Sequence, residues 1–525
     1  MQNNIPRYYE PEMTGTTSRC TEVDLFVYGA TSGGITAAVE AVRQELRVAI
    51  ADVGCRLGGL TSGGLGATDF GNKAAIGGLS REFYRAVGKH YGKEEQWTWE
   101  PRVAEEIYNR WLREHQIPFF PYKALSQVEK NDNLIVSALM QDGHLFRAKM
   151  FIDATYEGDL MAKAGVSYIV GRESTGTYGE IYNGVHFGHP NHNFKVAVDP
   201  YVKRGDRHSG LLPEISAEAP GKQGDGDHRI QAYNYRFCLT REASNRKPFP
   251  RPDHYNPARY ELLARYLDEG IFDVFGLTVG MPNGKTDTNN YGAFATDYIG
   301  GNYRWPEADY AEREKIFQAH LEYSAGLFYF LANDPRVPET FRKDAAEFGL
   351  CKDEFTATGG WPHQLYIREA RRMVSDVVIT EHHCLGRDPI GDPVALGAYA
   401  MDSHNCQRIA WNGRALNEGN VEINGFQPYG ISYRAIIPRE RECANLLVPW
   451  ALSASHIAFG SIRMEPVFMV LGQSSAIAAK MALEENLPLQ QIPYHDLQSR
   501  LLQKGQVLEW QKYQHRSVRI LTADG

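Results

Sequence analysis

The first fifty residues alternate between apolar runs and a glycine loop. The apolar run VDLFVY ends at Tyr28, the loop GATSGG occupies 29–34, and ITAAVEAVRQ after it has apolar residues at helical spacing. A second apolar run covers Arg47 to Ala51. Short continuous apolar runs are typical of strands buried on both faces of a parallel sheet. The pattern therefore predicts a strand, loop, helix and strand at the start of a nucleotide-binding domain.

Two amphipathic helices and a set of short strands are predicted further along. Apolar residues recur at helical spacing around Ser80 to Gly88 and again from Pro101 onward. Residues 124–149 indicate three short strands separated by the turn sequences NDN and QDG. We therefore predict a three-stranded meander that leads into a separate buried strand, MFIDA, and the loop TYEGD.

The middle of the chain differs in character from its two ends. It is rich in glycine, proline, tyrosine and asparagine, with one long helix predicted near 307–332. The last apolar block, near 445–482, indicates a strand, a loop and a helix, and its charged interruptions argue against a membrane span. We interpret the chain as a nucleotide-binding domain split by a substrate-facing insertion. The predicted segments are 20–175 for the first part of that domain, 176–430 for the inserted region, 431–485 for the second part and 486–525 for a C-terminal extension.

Composition narrows the class of protein and of partner. Of the 525 residues, 43% are hydrophobic and 23% are charged, and the net charge of -8 gives no sign of a nucleic-acid or acidic-membrane partner. The start, MQNNIPRYYEPE, lacks the basic and apolar regions of a signal peptide, and seven cysteines without a C-x-x-C pair favour a reducing compartment. We expect a cytoplasmic protein, although a trimmed export leader would leave no trace in this sequence. Homo-oligomerisation stays open.

The loop GATSGG has the spacing of a dinucleotide fingerprint with Thr31 in place of the middle glycine. Gly29 keeps the position of the tight turn, and Gly34 keeps the position where helix and strand pack closely. The Thr31 hydroxyl can donate to a phosphate oxygen, and the helix N-terminus supplies amides and its dipole. Asp52 follows Gly29 by about 20 residues, the distance of a ribose-binding carboxylate. By itself, the loop leaves open an ordinary strand-to-helix glycine turn.

Longer stretches carry a family resemblance. The chain resembles a family of FAD-dependent oxidoreductases over about residues 20–510, through GATSGG, LGGLTSGGLGATD, IDATYEGDLMA, NGKTDTNN, WPHQLYIREARRM, MDSHN and SASHIAFGSIRMEP. The resemblance implies an α/β fold, namely a Rossmann-type FAD/NAD(P)-binding domain of the glutathione-reductase type with an inserted α+β substrate domain, and it implies FAD as cofactor. Asp52 stands where a glutamate is more usual. We expect FAD to contact Gly29, Thr31, Ser32, Gly33, Gly34, Asp52, Gly59, Thr61, Ser62, Ala154, Gly158, Asp159 and Arg463.

Three residues are candidates for catalysis. Arg463 can add a positive charge where the reduced flavin ring is negative, unless it pairs with Glu465 or another acid as a structural bridge. His456 is predicted on the loop before the last helix as a general base, and its alternative is a core histidine. His404 of MDSHN is the competing base, and its alternative is a well hydrogen-bonded loop.

Substrate contacts are predicted from two of the same stretches. The candidates are His363, Tyr366, Arg368 and Asn405. The arginine-rich stretch around Arg368 has the alternative of a salt-bridged helix face. The clusters HFGHPNH and EHHC lack a convincing ligand set, so we predict no metal site.

The predicted function is hydride transfer from a small polar substrate, such as a sugar or another alcohol, to N5 of FAD. Thr61 and Gly66 stand where disulfide reductases carry their redox cysteines, and only one dinucleotide fingerprint is present. Electrons are therefore expected to come from the substrate, and the electron acceptor is unknown. Two alternatives stay open: a flavin-dependent reductase or dehydrogenase acting on a C=C or C–C bond, and a glycan-binding flavoprotein with structural FAD.

Overall fold

The computed structural model describes residues 5–13, 15–274 and 278–510. Between residues 20 and 178 the strands are β1 (Cys20–Tyr28), β2 (Val48–Ala51), β3 (Phe119–Phe120), β4 (Leu125–Asn131), β5 (Leu134–Met140), β6 (Leu145–Asp153) and β7 (Tyr168–Ile169). The helices there are α1 (Ser32–Arg43), α2 (Leu60–Gly63), α3 (Gly78–His90), α4 (Pro101–Glu114), α5 (Asp159–Lys163) and α6 (Thr175–Tyr178).

The first sheet has a parallel half and an antiparallel half. Its order is β3-β2-β1-β6-β5-β4, with β1, β2, β3 and β6 parallel and β4 and β5 antiparallel. The predicted meander is present, but the prediction of a separate strand MFIDA is wrong. The last strand of the meander and MFID are one strand, β6, which is half-exposed where it pairs with β5 and buried from Met150 onward.

The middle of the chain adds a second, antiparallel sheet. The strands of this middle region are β8 (Phe237–Thr240), β9 (Arg246–Lys247), β10 (Thr278–Met281), β11 (Lys285–Thr288), β12 (Gly349–Cys351), β13 (Arg372–Met373), β14 (Pro393–Gly397), β15 (Met401–Ser403), β16 (Gln407–Trp411), β17 (Arg414–Glu418), β18 (Val421–Ile423) and β19 (Tyr429–Ser432). Its helices are α7 (Glu261–Asp268), α8 (Tyr310–Asn333), α9 (Glu339–Glu347) and α10 (Glu381–Cys384). Strands β10-β11-β8-β12-β9 form the second sheet, and β14–β19, β15–β18 and β16–β17 form two-stranded pairs.

The chain then returns to the first sheet. The remaining elements are β20 (Leu446–Leu447), α11 (His456–Ile462), α12 (Glu465–Glu485) and α13 (Tyr494–Gln503). β20 is parallel to the second half of β6, with Leu446 opposite Phe151. The first sheet therefore contains strands from before and after the middle of the chain, while the proposed domain boundaries stay a prediction. Of the predicted extension 486–525, residues 511–525 lie outside the described residues.

Helix α12 packs against α1 with unusually close backbones. A Cβ added to Gly472 would lie 2.0 Å from the Gly33 carbonyl oxygen, and Thr36 donates a hydrogen bond to the Met469 carbonyl at 2.8 Å. α12 is long and apolar enough to cross a membrane, but 89% of its apolar window is buried inside the protein. Its hydrophobicity is therefore explained by its place in the core.

The predicted fold class is confirmed: a parallel nucleotide-binding sheet with an α+β insertion. The predicted helices are present as α1, α3, α4 and α8 with shifted ends. The stretch WPHQLYIREARRM is irregular up to β13, so the helix of the salt-bridged alternative is not formed there. Its buried arginines donate to backbone carbonyls, Arg368 to that of Ala232 and Arg372 to those of Gly171 and Ala454.

Candidate cofactor site and active site

The outer glycines of GATSGG are required by backbone geometry. Gly29 has a φ of +108°, and a Cβ there would lie 2.6 Å from the carbonyl carbon of Ala154. A Cβ on Gly34 would lie 2.0 Å from the Gly29 carbonyl oxygen. Side chains cannot be placed at such distances without moving the backbone. The loop therefore turns at Gly29 and packs α1 on β1 at Gly34, as the fingerprint predicts.

Thr31 caps helix α1. Its Oγ1 accepts a hydrogen bond from the Gly34 amide at 3.2 Å and donates one to the Ala154 carbonyl at 2.8 Å. Because the hydroxyl hydrogen is used in the second bond, it is not free to donate to a phosphate, contrary to our expectation. The threonine instead joins the loop to the end of β6, while the N-terminus of α1 keeps its capacity to bind an anion.

Asp52 is fixed at the end of β2. One carboxylate oxygen accepts the Ala30 amide at 2.6 Å, and the other accepts the Gly54 amide at 2.7 Å. A carboxylate has about four acceptor positions, so both oxygens can accept further hydrogen bonds from hydroxyl groups. Asp52 is therefore placed so that it can accept ribose hydroxyls, and its role as a ribose ligand stays a prediction.

A cavity of about 560 Å³ lies beside the GATSGG loop, and we call it the loop cavity. Of the residues predicted to contact the cofactor, Thr31, Asp52, Gly59 and Asp159 belong to its wall. Arg56, Tyr156 and Glu157 also belong to this wall, together with residues of the insertion near Gln364.

Four of the other predicted cofactor residues lie behind this wall. Ser32 and Thr61 donate hydrogen bonds to one carboxylate oxygen of Glu465, the first residue of α12. Tyr156 donates to the other oxygen at 2.9 Å. Burial raises the pKa of Glu465, and the three hydroxyl groups oppose that shift. Ser62 donates to the Leu57 carbonyl, and Gly33 packs against α12.

The loop TYEGD contributes a charged corner. Gly158 has a φ of +69° before α5, and Asp159 is held by Arg313 at 2.6 Å and by Arg371 at 2.8 Å. Asp159 is therefore already neutralised by two guanidinium groups. Burial raises the pKa of the adjacent Glu157 to about 7 despite the Arg313 charge.

A second cavity, of about 570 Å³, lies where the other motifs meet, and we call it the motif cavity. The motif stretches contribute Thr68, Asp69, Asn289, Asn290, Tyr366, Asp402, His404 and Arg463 to its wall. The remaining wall includes Trp97, His192, Arg236, Tyr291 and Tyr399. Residues far apart in the sequence thus form one polar and aromatic site.

His404 and Asp297 form a hydrogen-bonded pair at this wall. His404 Nδ1 lies 2.6 Å from Asp297 Oδ2, and Arg368 forms an ion pair with the other carboxylate oxygen at 3.0 Å. Although burial opposes ionisation, Arg368 and His404 lower the pKa of Asp297 to about 2. Burial, helped by the Arg368 charge, lowers the pKa of His404. A neutral imidazole with its hydrogen on Nδ1 therefore keeps a free lone pair on Nε2.

Arg463 follows α11 and reaches the same cavity. Its NH1 donates to the Tyr366 hydroxyl at 2.8 Å, and its NH2 donates to Asp402 Oδ2 at 3.1 Å. Its Nε is buried without a hydrogen-bond partner among the described residues. Its acidic partner is therefore Asp402 and not Glu465, so the alternative of an ion pair with another acid is present beside its place in the cavity wall.

His456 is the first residue of α11, where a preceding loop was expected. Its Nδ1 lies 2.9 Å from the Glu369 carboxylate, and its Nε2 lies 3.0 Å from Ser403 Oγ. Both ring nitrogens are engaged, and the residue lines neither cavity. This geometry fits the core-histidine alternative better than a general base.

The predicted substrate residues are divided between different places. Tyr366 lines the motif cavity, but Arg368 and Asn405 are buried behind it; Asn405 donates to the His192 carbonyl. His363 lines the loop cavity, and burial together with Arg56 lowers its pKa to about 3. Contacts with a substrate are thus geometrically direct only for Tyr366.

Carboxylates and histidines that resemble metal ligands have other partners. Glu100, Asp353 and Glu354 converge, but the Lys285 ammonium lies between them, 2.5 to 2.8 Å from their oxygens. In the HFGHPNH stretch, His186 and His189 are hydrogen-bonded to the side-chain amides of Gln223 and Asn420.

Sequence reasoning missed three functional candidates: Asp297, Asp69 and Arg236. Asp297 lies within AFATDYIG, where a single acid in an apolar stretch is the only signal. Asp69 stands in LGATD and lines the motif cavity together with residues of the insertion. Arg236 pairs with Asp287 at 2.8 Å and lines the motif cavity.

The chain was compared with protein families, with curated proteins and with solved structures. The chain matches the family described as FAD dependent oxidoreductase over residues 24–501. No curated protein matches the chain. Similar solved structures include the flavin-dependent brominase Bmp2, with 17% identity over 29% of this chain and 42% of that one, at a TM-score of 0.23. L-proline dehydrogenase from P. horikoshii is 13% identical over 29% of this chain and 58% of that one, with a TM-score of 0.25. Thioredoxin reductase from T. acidophilum is 19% identical over 25% of this chain and 34% of that one, with a TM-score of 0.17.

The match thus spans less than two thirds of each of these solved chains. The described residues fit a dinucleotide: the loop leaves no room for side chains at Gly29 and Gly34, the α1 N-terminus can bind phosphate, and Asp52 can accept ribose hydroxyls. The chain belongs to the FAD-dependent oxidoreductase family, and FAD is its cofactor.

Proposed function

We propose that the protein oxidises a hydroxyl-bearing carbon of a small polar substrate, a sugar or a related alcohol, bound in the motif cavity. FAD supplies the hydride acceptor when it is bound. The observation that carries this proposal is the His404–Asp297 pair, because alcohol oxidation requires a group that removes the hydroxyl proton.

His404 is prepared for that proton transfer. Asp297 takes the hydrogen bond from Nδ1 and so fixes the tautomer that leaves Nε2 as the acceptor. Because its pKa is lowered, the imidazole is neutral at pH 7. After it accepts the proton, the imidazolium is stabilised by Asp297 at 2.6 Å and by Asp402 at 3.7 Å.

Arg463 keeps a positive charge at the same wall. Its contacts with Tyr366 and Asp402 hold the guanidinium in one orientation. A fixed, desolvated cation favours negative charge that develops nearby during the reaction. We therefore retain Arg463 as the residue that stabilises charge and assign the base to His404.

The character of the wall supports a polyhydroxylated substrate. The cavity combines the aromatic rings of Trp97, Tyr291 and Tyr399 with the amides of Asn289 and Asn290. Flat amphipathic rings and side-chain amides suit a ligand with apolar faces and a rim of hydroxyl groups.

An amine is the second candidate substrate, and Asp69 favours it. The Asp69 carboxylate is accessible from the cavity and has no hydrogen bond or ion pair with the described residues. Desolvation raises its pKa, while Arg236 opposes the shift. A free carboxylate can accept two hydroxyl hydrogens or bind an ammonium group, so the choice rests on experiment.

An anaerobic screen tests the proposal. Neutral sugars, polyols, amines and organic acids are added to the FAD-loaded protein, and the oxidised-flavin absorbance is followed. Loss of absorbance with sugars or polyols, and its slowing in His404→Asn, is the expected result. Bleaching only by amines would select the second candidate. Sugar binding by calorimetry without bleaching would favour the glycan-binding alternative instead.

A further inference from the structure

The segment Ile5–Met13 lies across the loop cavity. Ile5, Arg7, Tyr8, Glu10 and Glu12 all belong to the cavity wall. The rest of that wall comes from the nucleotide-binding sheet and from the insertion near Gln364. We call Ile5–Met13 the strap.

The strap is anchored to α8 at positions outside the cavity. The amides of Tyr8 and Tyr9 both donate to one carboxylate oxygen of Glu314, at 2.8 and 3.1 Å. Gln318, one turn further along α8, donates from its Nε2 to the Pro6 carbonyl at 2.8 Å. Neither Glu314 nor Gln318 lines the cavity.

The Tyr8 ring packs edge-on against Trp305 of the insertion, with centroids 4.8 Å apart. The hydroxyl groups of the strap contact the nucleotide-binding domain, and that of Tyr8 donates to Glu157 at 3.3 Å. The Tyr9 hydroxyl donates to Gln141 Oε1 at 2.7 Å. The strap therefore joins the insertion to the first sheet across the cavity.

We propose that the strap is part of the FAD site and retains the cofactor, so that FAD leaves only after the strap separates from α8. Attraction to the phosphates is not its main contribution, because Glu10 and Glu12 offset Arg7 in charge. Its contribution is closure, which acts on the dissociation rate more than on the association rate. This proposal depends on the cofactor and not on the identity of the substrate.

The Glu314→Ala substitution distinguishes closure of the loop cavity by the strap from direct contact between wall residues and FAD. The substitution removes the acceptor of two strap amides and changes no residue of the cavity wall itself. We expect FAD to dissociate at least about tenfold faster, measured by the fluorescence of released FAD after dilution of the holoprotein. Glu314→Gln keeps an acceptor oxygen at the same position and should restore a rate close to that of the wild type. Glu322→Ala, an exposed carboxylate on the same helix, is the matched control and should leave the rate unchanged.

A second measurement uses the unmodified protein. Arg7 is 46% exposed, so trypsin can reach the Arg7–Tyr8 bond when the strap separates. We expect cleavage there to be several-fold slower with FAD bound than in the apoprotein. Equal cleavage rates in the two forms, or wild-type FAD dissociation in a folded Glu314→Ala protein, would overturn the proposal.

Discussion

The loop cavity and the motif cavity are built from the sequence in opposite ways. One side of the loop cavity is formed by a continuous stretch, in which Gly29, Thr31 and Gly34 set the turn and the cap within six residues. The motif cavity depends on side chains such as His404 and Asp297, which the chain separates by more than a hundred residues. The GATSGG side of the loop cavity is specified by local backbone geometry, and the motif cavity by long-range packing. Substitutions in the loop should therefore affect FAD binding, whereas substitutions in the motif cavity should affect the rate of flavin reduction.

The largest effect is expected at Gly34. In Gly34→Val the new Cβ would lie 2.0 Å from the Gly29 carbonyl oxygen, so α1 must move away from β1. We expect FAD binding to be abolished, as measured by titration of the apoprotein with FAD. Gly280→Val is the control, because a Cβ there has none of the described residues within 4 Å. FAD binding by Gly34→Val at wild-type affinity would show that the turn is not set by backbone contact.

The next effect concerns the motif cavity. His404→Asn should bind FAD normally and slow flavin reduction by about 10²- to 10⁴-fold, since it removes the proton acceptor. In the wild type, the rate should rise with pH as His404 loses its proton and then level off. Because the pKa of His404 is lowered, the midpoint should lie below the ordinary histidine value of about 6.5.

His456→Gln provides the matched control for this prediction. Its side chain contacts Glu369 and Ser403 in the core, so the rate per bound FAD and its pH dependence should be those of the wild type. A normal rate in His404→Asn together with a large loss in His456→Gln would return the base to α11. Stopped-flow traces of flavin reduction distinguish the two outcomes.

The contrast between the two cavities explains what could be predicted. The strands β1 and β2, helix α1 and Asp52 were predictable because period, turn and spacing are local properties of the sequence. Which of His404 and His456 is the general base was not predictable, because both lie in motifs and differ only in the side chains that they contact. Asp297 belongs to a segment without a distinguishing pattern, and the place of Glu369 within WPHQLYIREARRM does not indicate which histidine it contacts.

A smaller effect is expected from Arg463. In Arg463→Ala the cavity loses a cation whose position Tyr366 and Asp402 hold, while every predicted contact of the loop cavity stays in place. Charge-assisted hydrogen bonds contribute about 1 to 3 kcal/mol, so the flavin reduction potential should fall by about 20 to 60 mV. Equilibration of the variant with reference dyes measures the shift. An unchanged potential would mean that Arg463 serves only to position Asp402.

The smallest effect, at Thr31, tests whether the middle position of the loop is structural. In Thr31→Val the branched shape is kept, but the cap of α1 and the bond to the Ala154 carbonyl are lost. Loss of an N-cap costs about 1 kcal/mol, so the urea midpoint of unfolding should fall slightly while FAD remains bound. Thr31→Ser keeps the hydroxyl and should restore the midpoint. If the hydroxyl instead contacted phosphate, Thr31→Val would lose much of its FAD affinity at an unchanged midpoint, and the cap would be incidental. A different quantity therefore changes under each assignment: the urea midpoint if Thr31 caps α1, and the FAD affinity if its hydroxyl contacts phosphate. This difference shows how a threonine can replace the middle glycine of the fingerprint.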